Sequence, residues 1–253
     1  MTRIAASPSD ADATIESMAE LPRVLLLDLD DTILDDSSAR DRCWQETCDE
    51  AARRNSAVDA KRLRVELERV REEFWSDPDR HRAWRVRLAD AYGRIVAESL
   101  AALGIEDRRL GLELGAMHHE LRKEAIAPLE GAIDTLHALR ERGVTLGLIT
   151  NGGSEGQREK IERFALAAHF AYIGIEGEVG HGKPHRVAYQ TALDALGVVP
   201  SDCWMVGDNL EWDVAGAQAV GIRGIWLDKN GRGLPAGAGV VPDAIVRSIA
   251  ELL

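Results

Sequence analysis

Apolar positions divide this chain into two kinds of territory. Five short stretches are almost continuously apolar: 24–30 (VLLLDLD), 144–150 (VTLGLIT), 171–177 (AYIGIEG), 203–208 (CWMVGD) and 223–228 (RGIWLD). A strand with one wet face alternates in polarity. Uninterrupted runs of this length predict strands covered on both faces, as in a parallel sheet. Between them the period changes. In 131–143, Ile133, Leu136 and Leu139 recur at helical spacing, and Gly143 predicts the stop. Helices are also predicted over 154–166, 185–197 and 213–221. Strand–helix alternation of this kind predicts an α/β fold with a doubly wound parallel sheet. In such sheets ligands sit beyond the carboxyl ends of the strands.

One long stretch breaks the alternation. Residues 37–127 contain no convincing strand and read as an all-helical insertion after the first strand. Helices are predicted over 58–75 and 83–104, with Asp77-Pro78 between them and Gly104 closing the second. The charges of 61–73 are read as a solvated helix face, and His118-His119 as a surface pair. Trp44, Trp75, His81, Arg82, Trp84 and Arg85 could touch a ligand. At helical spacing, however, the tryptophans read more simply as core, and none of the six is assigned a role. The expected organisation is a flexible tail at 1–21, a core domain made of 22–36 and 128–253, and the helical insertion at 37–127.

Composition narrows the function. The chain has 253 residues, 45% hydrophobic and 29% charged, an ordinary soluble composition. Its net charge of −12 argues against nucleic-acid binding, which needs a basic face. A small anionic substrate stays open, because a site can be locally positive in an acidic protein. Cys43, Cys48 and Cys203 form no CxxC pattern and are expected to be reduced thiols in a cytoplasmic protein. Residues 1–21 lack the apolar segment of a secretory signal, and no apolar stretch approaches a membrane span, so no membrane partner is expected.

The chemistry lies where the predicted strands end. The first ends in Asp28-Leu29-Asp30-Asp31-Thr32, the second in Thr150-Asn151-Gly152-Gly153, and the fourth in Gly207-Asp208-Asn209 with Asp213 beyond. Lys183-Pro184 precedes the helix before the fourth strand. Clustered carboxylates repel unless a cation compensates them. With no thiolate or histidine among them, the donor set suits a hard, oxygen-bound ion, best Mg²⁺. The lysine and the Thr-Asn-Gly-Gly turn suit the oxygens of a phosphoryl group. Asp213 also stands where the cap of the next helix would fall.

DLDDT, ITNGG, GKP and GDNLEWD, in this order and each at a strand end, resemble the four motifs of the haloacid dehalogenase-like (HAD) superfamily. The insertion after the first motif resembles its helical-cap branch. The stretches 148–164, 182–198 and 206–221 resemble the branch containing N-acylneuraminate-9-phosphatase and pyrimidine-nucleotide phosphatases. The resemblance implies a Rossmann-like core with a helical cap and a Mg²⁺-dependent hydrolase of small phosphomonoesters: a sugar phosphate, a nucleotide or an acid-sugar phosphate. It implies Asp28 as nucleophile and Asp30 as general acid/base, with Asp28, the Asp30 carbonyl and Asp208 holding the metal. Thr150, Asn151 and Lys183 would bind the phosphoryl group, and Asp213 would support Lys183 or a metal-bound water. Asp31 stands where the family often has Gly and is expected to point away. Asp30 favours a phosphatase over a dehalogenase, which lacks an acid there. A mutase of the same fold also carries the pair, and an inactive scaffold serving as a binding protein is the remaining alternative.

Overall fold

The computed structural model describes residues 20–253. The expected tail lies outside them except for Glu20 and Leu21. Six strands form one all-parallel sheet: β1 (Val24–Leu27), β2 (Thr145–Thr150), β3 (Tyr172–Ile175), β4 (Cys203–Gly207), β5 (Arg223–Leu227) and β6 (Ala244–Val246). Their order is β3-β2-β1-β4-β5-β6. The order reverses where β1 meets β4, and there the connections leave a crevice at the carboxyl edge. Val24 stands opposite Thr145 on one side and Cys203 on the other, so β1 is central. Every residue of β1 and β4 is buried, the physical reason their sequences show no alternation. A separate two-residue ribbon pairs Leu34–Asp35 with Ala127–Pro128.

The chain forms two compact units, 35–127 and the remainder. The smaller unit is helical: α1 (Arg40–Arg54), α2 (Ala60–Ser76), α3 (Pro78–Trp84), α4 (Leu88–Ala102) and α5 (Arg108–Ala125). The helix expected over 83–104 begins later, at Leu88, because residues 78–84 form a helix of their own. Asp77 caps it through the Arg80 N–H, with Pro78 in its first turn. Asp59 and Asp107 cap α2 and α5 in the same way. Gly104 ends α4 at φ 79°. Trp44, Leu63, Leu67, Phe74, Ile95, Leu100 and Leu114 form the core of this unit, with Trp75 and Trp84 packed against it. The tryptophans therefore pack as helical spacing predicted.

Two features of this unit differ from, or go beyond, the sequence reading. First, His118 is not on the surface. It is fully buried, stacked on Trp44 with centroids 3.5 Å apart and edge-on to Tyr92. Thr47 Oγ1 donates to the Cys43 carbonyl, so its oxygen accepts from the His118 Nδ1–H at 3.1 Å. Burial and then the nearby Arg122 lower the His118 pKa to about 3, so the ring is neutral in the fold. Second, α4 and α5 cross closely. A Cβ on Gly115 would run into the backbone of Gly93. A Cβ on Gly93 would meet the Leu112 Cδ2 tip at 3.1 Å, with the Leu112 backbone only at ordinary contact distance, 3.4 Å and beyond.

In the larger unit, α6 (Ala132–Glu141), α7 (Ser154–Arg163) and α8 (Arg186–Leu196) connect the strands. Ala188, Tyr189, Ala192 and Leu193 of α8 pack with Val24, Leu26, Ile149 and Met205 of the sheet. The apolar run 171–177 stops being a strand at Ile175. Glu176–Val179 is a helical turn, because the Glu176 carboxylate turns inward to accept the Gly152 N–H. The helix expected over 213–221 starts as a wide π-type turn over Leu210–Ala215 and continues only through Gly216–Gln218.

Two stability predictions follow from the smaller unit. Gly115→Ala should lower the unfolding free energy by about 2 kcal/mol, because backbone cannot yield to the new methyl. Gly93→Ala should change it by less than about 1 kcal/mol, since helix propensity offsets a displaced leucine tip. Urea unfolding of both variants separates them, and equal stability would remove the close crossing. For His118, the unfolded chain takes up a proton below pH 6.5 that the folded chain refuses down to about 3. Stability should therefore fall with pH across that window, by up to roughly 1 kcal/mol per pH unit, relative to His118→Gln. A difference between wild type and variant that stays flat with pH would show that the ring is already charged.

Candidate active site

Asp28 follows β1 directly, and its N–H donates to the Val206 carbonyl of β4 (3.0 Å). Its carboxylate is buried. Oδ1 accepts from Lys183 Nζ at 2.5 Å and Oδ2 from Thr32 Oγ1 at 3.2 Å. Lys183, itself 1% exposed, also donates to Asp213 Oδ1 at 2.6 Å. The other Asp213 oxygen accepts the Asn209 N–H at 2.9 Å. Asp213 is thus no helix cap. That place belongs to Asn209, whose side chain accepts from the N–H groups of Glu211 and Trp212. Gly207 makes the approach possible, since any Cβ there would overlap the Asp213 carboxylate.

Asn151 fixes the lysine's backbone. Its Nδ2 donates to the Lys183 carbonyl (2.8 Å), and its Oδ1 accepts the Lys183 N–H (2.7 Å). Its side chain is therefore spent on the lysine loop, which leaves its backbone N–H for a ligand. Thr150, buried at the end of β2, accepts from Gln157 Nε2 at 2.5 Å.

The electrostatics follow from burial. Desolvation pushes Asp28 up to about 7, against the opposing pull of Lys183 and with Asp213 and Asp30 adding to it. Desolvation pushes Asp208 up to about 8, with Asp28 and Asp213 next in order. Burial alone would lower the Lys183 ammonium, but Asp213 and Asp28 outweigh it and keep it protonated. Oxygens of Asp28, Asp208 and Asp213 lie within 4.8 Å of one another. Asp213 is occupied by Lys183 and Asn209. Asp208 has no ion pair among the described residues. An all-oxygen donor set with this deficit of positive charge fits a hard divalent cation.

Sequence reasoning missed three residues here. Lys160 and Gln157 of α7 both reach Asp30: Lys160 Nζ donates to Oδ1 (2.7 Å) and Gln157 Nε2 to Oδ2 (2.9 Å). Lys229, in the loop after β5, donates to Asp31 Oδ1 at 2.5 Å. Asp31, at φ 62°, is held by that lysine beside the site. The one available signal was the i, i+3 spacing of Gln157 and Lys160, which puts them on one helix face.

The family model for haloacid dehalogenase-like hydrolases matches residues 22–221. The chain belongs to this family. Among curated HAD relatives, it is 38% identical to a phosphoserine phosphatase of Thermus thermophilus over 179 residues, 70% of this chain and 65% of that protein. It is 36% identical to the N-acylneuraminate-9-phosphatase of Rattus norvegicus over 150 residues, 59% of this chain and 60% of that one. The matched segments thus span about two thirds or less of these relatives' lengths. The fold is that of the HAD-hydrolase YfnB of Bacillus subtilis, solved bound to magnesium: TM-score 0.71 at 20% identity, covering 92% of this chain and 97% of that one. Among the described residues no helix is long and apolar enough to cross a membrane.

In this HAD core, Lys183 pairs with two buried carboxylates, Asp28 and Asp213. Lys183→Met should lower the unfolding free energy at neutral pH by about 3 kcal/mol, the usual result of leaving a buried charge without its partner. Acid should recover part of the loss as Asp28, whose carboxyl burial already pushes up, takes on a proton. Denaturant titration in neutral and acidic buffer checks both, and full stability at neutral pH would contradict the charge arrangement.

Proposed function

We propose that this protein is a Mg²⁺-dependent phosphatase of small phosphomonoester metabolites, working through a phosphorylated Asp28. The observation that carries the reading is the pairing of a buried Asp28 with Lys183 at the carboxyl edge of a parallel sheet. Hydrolases named for phosphoserine and N-acylneuraminate 9-phosphate among its relatives support the same chemistry.

Asp28 is the nucleophile. Its oxygen attacks phosphorus, the ester oxygen leaves, and an aspartyl-phosphate forms. Asp30 protonates the leaving oxygen and then takes a proton from the water that hydrolyses the intermediate. Lys183 offsets the negative charge shared by the nucleophile and the phosphoryl group. The Thr150 hydroxyl and the Asn151 N–H hold the phosphoryl oxygens, and Asp213 keeps Lys183 in place. Asp28, Asp208 and the Asp30 carbonyl would hold Mg²⁺. When bound, the ion would neutralise these carboxylates and draw charge from the phosphoryl oxygens. The helical unit would act as a cap that selects the leaving group. Three buried, unpaired cysteines are in keeping with a reducing, cytoplasmic setting.

The test is phosphate release with Mg²⁺ from phosphoserine, N-acylneuraminate 9-phosphate, nucleoside monophosphates and sugar phosphates. At least one ester should yield inorganic phosphate with no isomer product. Asp28→Asn should reduce turnover by about 10³-fold or more, and chelation should abolish it. Undiminished turnover in either case refutes the mechanism. An isomerised sugar phosphate would make the protein a mutase.

A further inference from the structure

We infer that Lys160, assisted by Gln157, is a positioning residue for Asp30: it holds the carboxylate in the orientation from which it transfers protons. The inference rests on the phosphatase reading and adds residues outside the four motifs.

The geometry is specific. Asp30 follows β1 and is separated by 130 positions from Lys160 in α7, yet both of its oxygens are taken by that helix. The Lys160 side chain is 14% exposed and that of Asp30 is 29% exposed, so this is not a solvated surface pair. A carboxylate fastened at one oxygen can still rotate about its terminal torsion. Fastened at both, by an ammonium and an amide on one rigid helix, it cannot. Gln157 Nε2 also contacts Thr150 Oγ1, so the group that moves protons and the hydroxyl at the end of β2 share one support. α7 starts immediately after the β2 loop, and its first two turns carry both residues. The chain segment that shapes the Thr150 turn therefore also sets the aim of Asp30.

Two proton transfers depend on that aim. In the first, the bond from phosphorus to the ester oxygen breaks as the bond to Asp28 forms, and the Asp30 proton goes to the departing oxygen. In the second, a water oxygen bonds to phosphorus, the Asp28–phosphorus bond breaks, and the water proton returns to Asp30. An alkyl leaving group needs the first transfer. p-Nitrophenolate, a stable anion, hardly needs it. Both substrates need the second.

The test uses the full chain with Mg²⁺, phosphoserine and p-nitrophenyl phosphate as substrates, and Lys160→Met, Lys160→Gln and Lys160→Arg as variants. In Lys160→Met, kcat/KM for phosphoserine should fall about 30-fold, and for p-nitrophenyl phosphate less than about threefold. Acid-quenched Lys160→Met should carry more covalent phosphate during p-nitrophenyl phosphate turnover than wild type. Lys160→Arg should restore both readouts. If Lys160→Met does not fold by circular dichroism, Lys160→Gln, which keeps a donor without the charge, takes its place. Equal losses on the two esters with no extra covalent phosphate, or no loss at all, overturn the role of Lys160 and leave the phosphatase reading standing. Where phosphoserine is not turned over, an alkyl ester that the Mg²⁺ screen finds hydrolysed takes its place; if the wild type hydrolyses no ester of that screen, the phosphatase reading fails and this inference fails with it.

Discussion

The structure of the candidate site depends on one buried ammonium. Lys183 lies between Asp28 and Asp213, out of contact with water, and makes a short hydrogen bond to each. Burying a single charge is unfavourable by several kcal/mol, so a lysine is stable there only if its partners are placed accurately. That requirement spreads outward. Asn151 clamps the lysine's backbone from the end of β2. Gly207 clears space for Asp213 at the end of β4. Asp28 is tied to the same strand through the Val206 carbonyl. Three strand ends and one loop are thereby held to a single point.

The same logic explains how five aspartates can crowd the first motif and its surroundings. The three carboxylates of Asp28, Asp30 and Asp31 each take a different lysine, and each lysine arrives from a different part of the chain: Lys183, Lys160 and Lys229. Like charges are thus separated pair by pair rather than pooled. Asp213 shares Lys183, which leaves Asp208 with no ion pair among the described residues. Its carboxyl is also the one pushed up to about 8, by burial first and then by its acidic neighbours. The residual demand for positive charge is concentrated between Asp28 and Asp208, at the edge of the sheet where a ligand would enter.

Much of this was legible in the sequence, for identifiable reasons. Central strands buried on both faces must be continuously apolar, and five of the six were found that way. The sixth, Ala244–Val246, has three residues and no run to detect. Asp28, Thr150, Asn151 and Asp208 were legible because they stand at strand ends, whereas Lys183 lies in a loop beyond the Glu176–Val179 turn and Asp213 in the turn after β4. Asp31 was expected to point away; its partner Lys229, 198 positions along the chain, was not legible, because no local pattern predicts such a pair. His118 was misread although a signal was present. Leu110, Leu114 and His118 fall at i, i+4 and i+8, on one helix face, and all three are buried. The His-His doublet drew attention to the pair and away from the period. In the Ser154–Arg163 helix, only Gln157 and Ile161 are buried, so its polar sequence looks like a solvated surface.

That last case shows a general limit of charge patterns. Lys160 is indistinguishable in sequence from the lysines and arginines that pair along the exposed faces of α1, α2 and α4. Those are i, i+4 pairs within one helix, each worth only a few tenths of a kcal/mol. Lys160 forms its pair across the fold, with a residue whose other oxygen is already claimed by the same helix. Energy therefore does not set it apart, because a half-buried ion pair adds little stability either. What sets it apart is constraint: the exposed pairs can exchange partners or swing into water without consequence, whereas Asp30 loses its direction if α7 releases it. A residue of this kind is selected by geometry, and apart from the i, i+3 spacing it shares with Gln157, composition and charge run carry no trace of it.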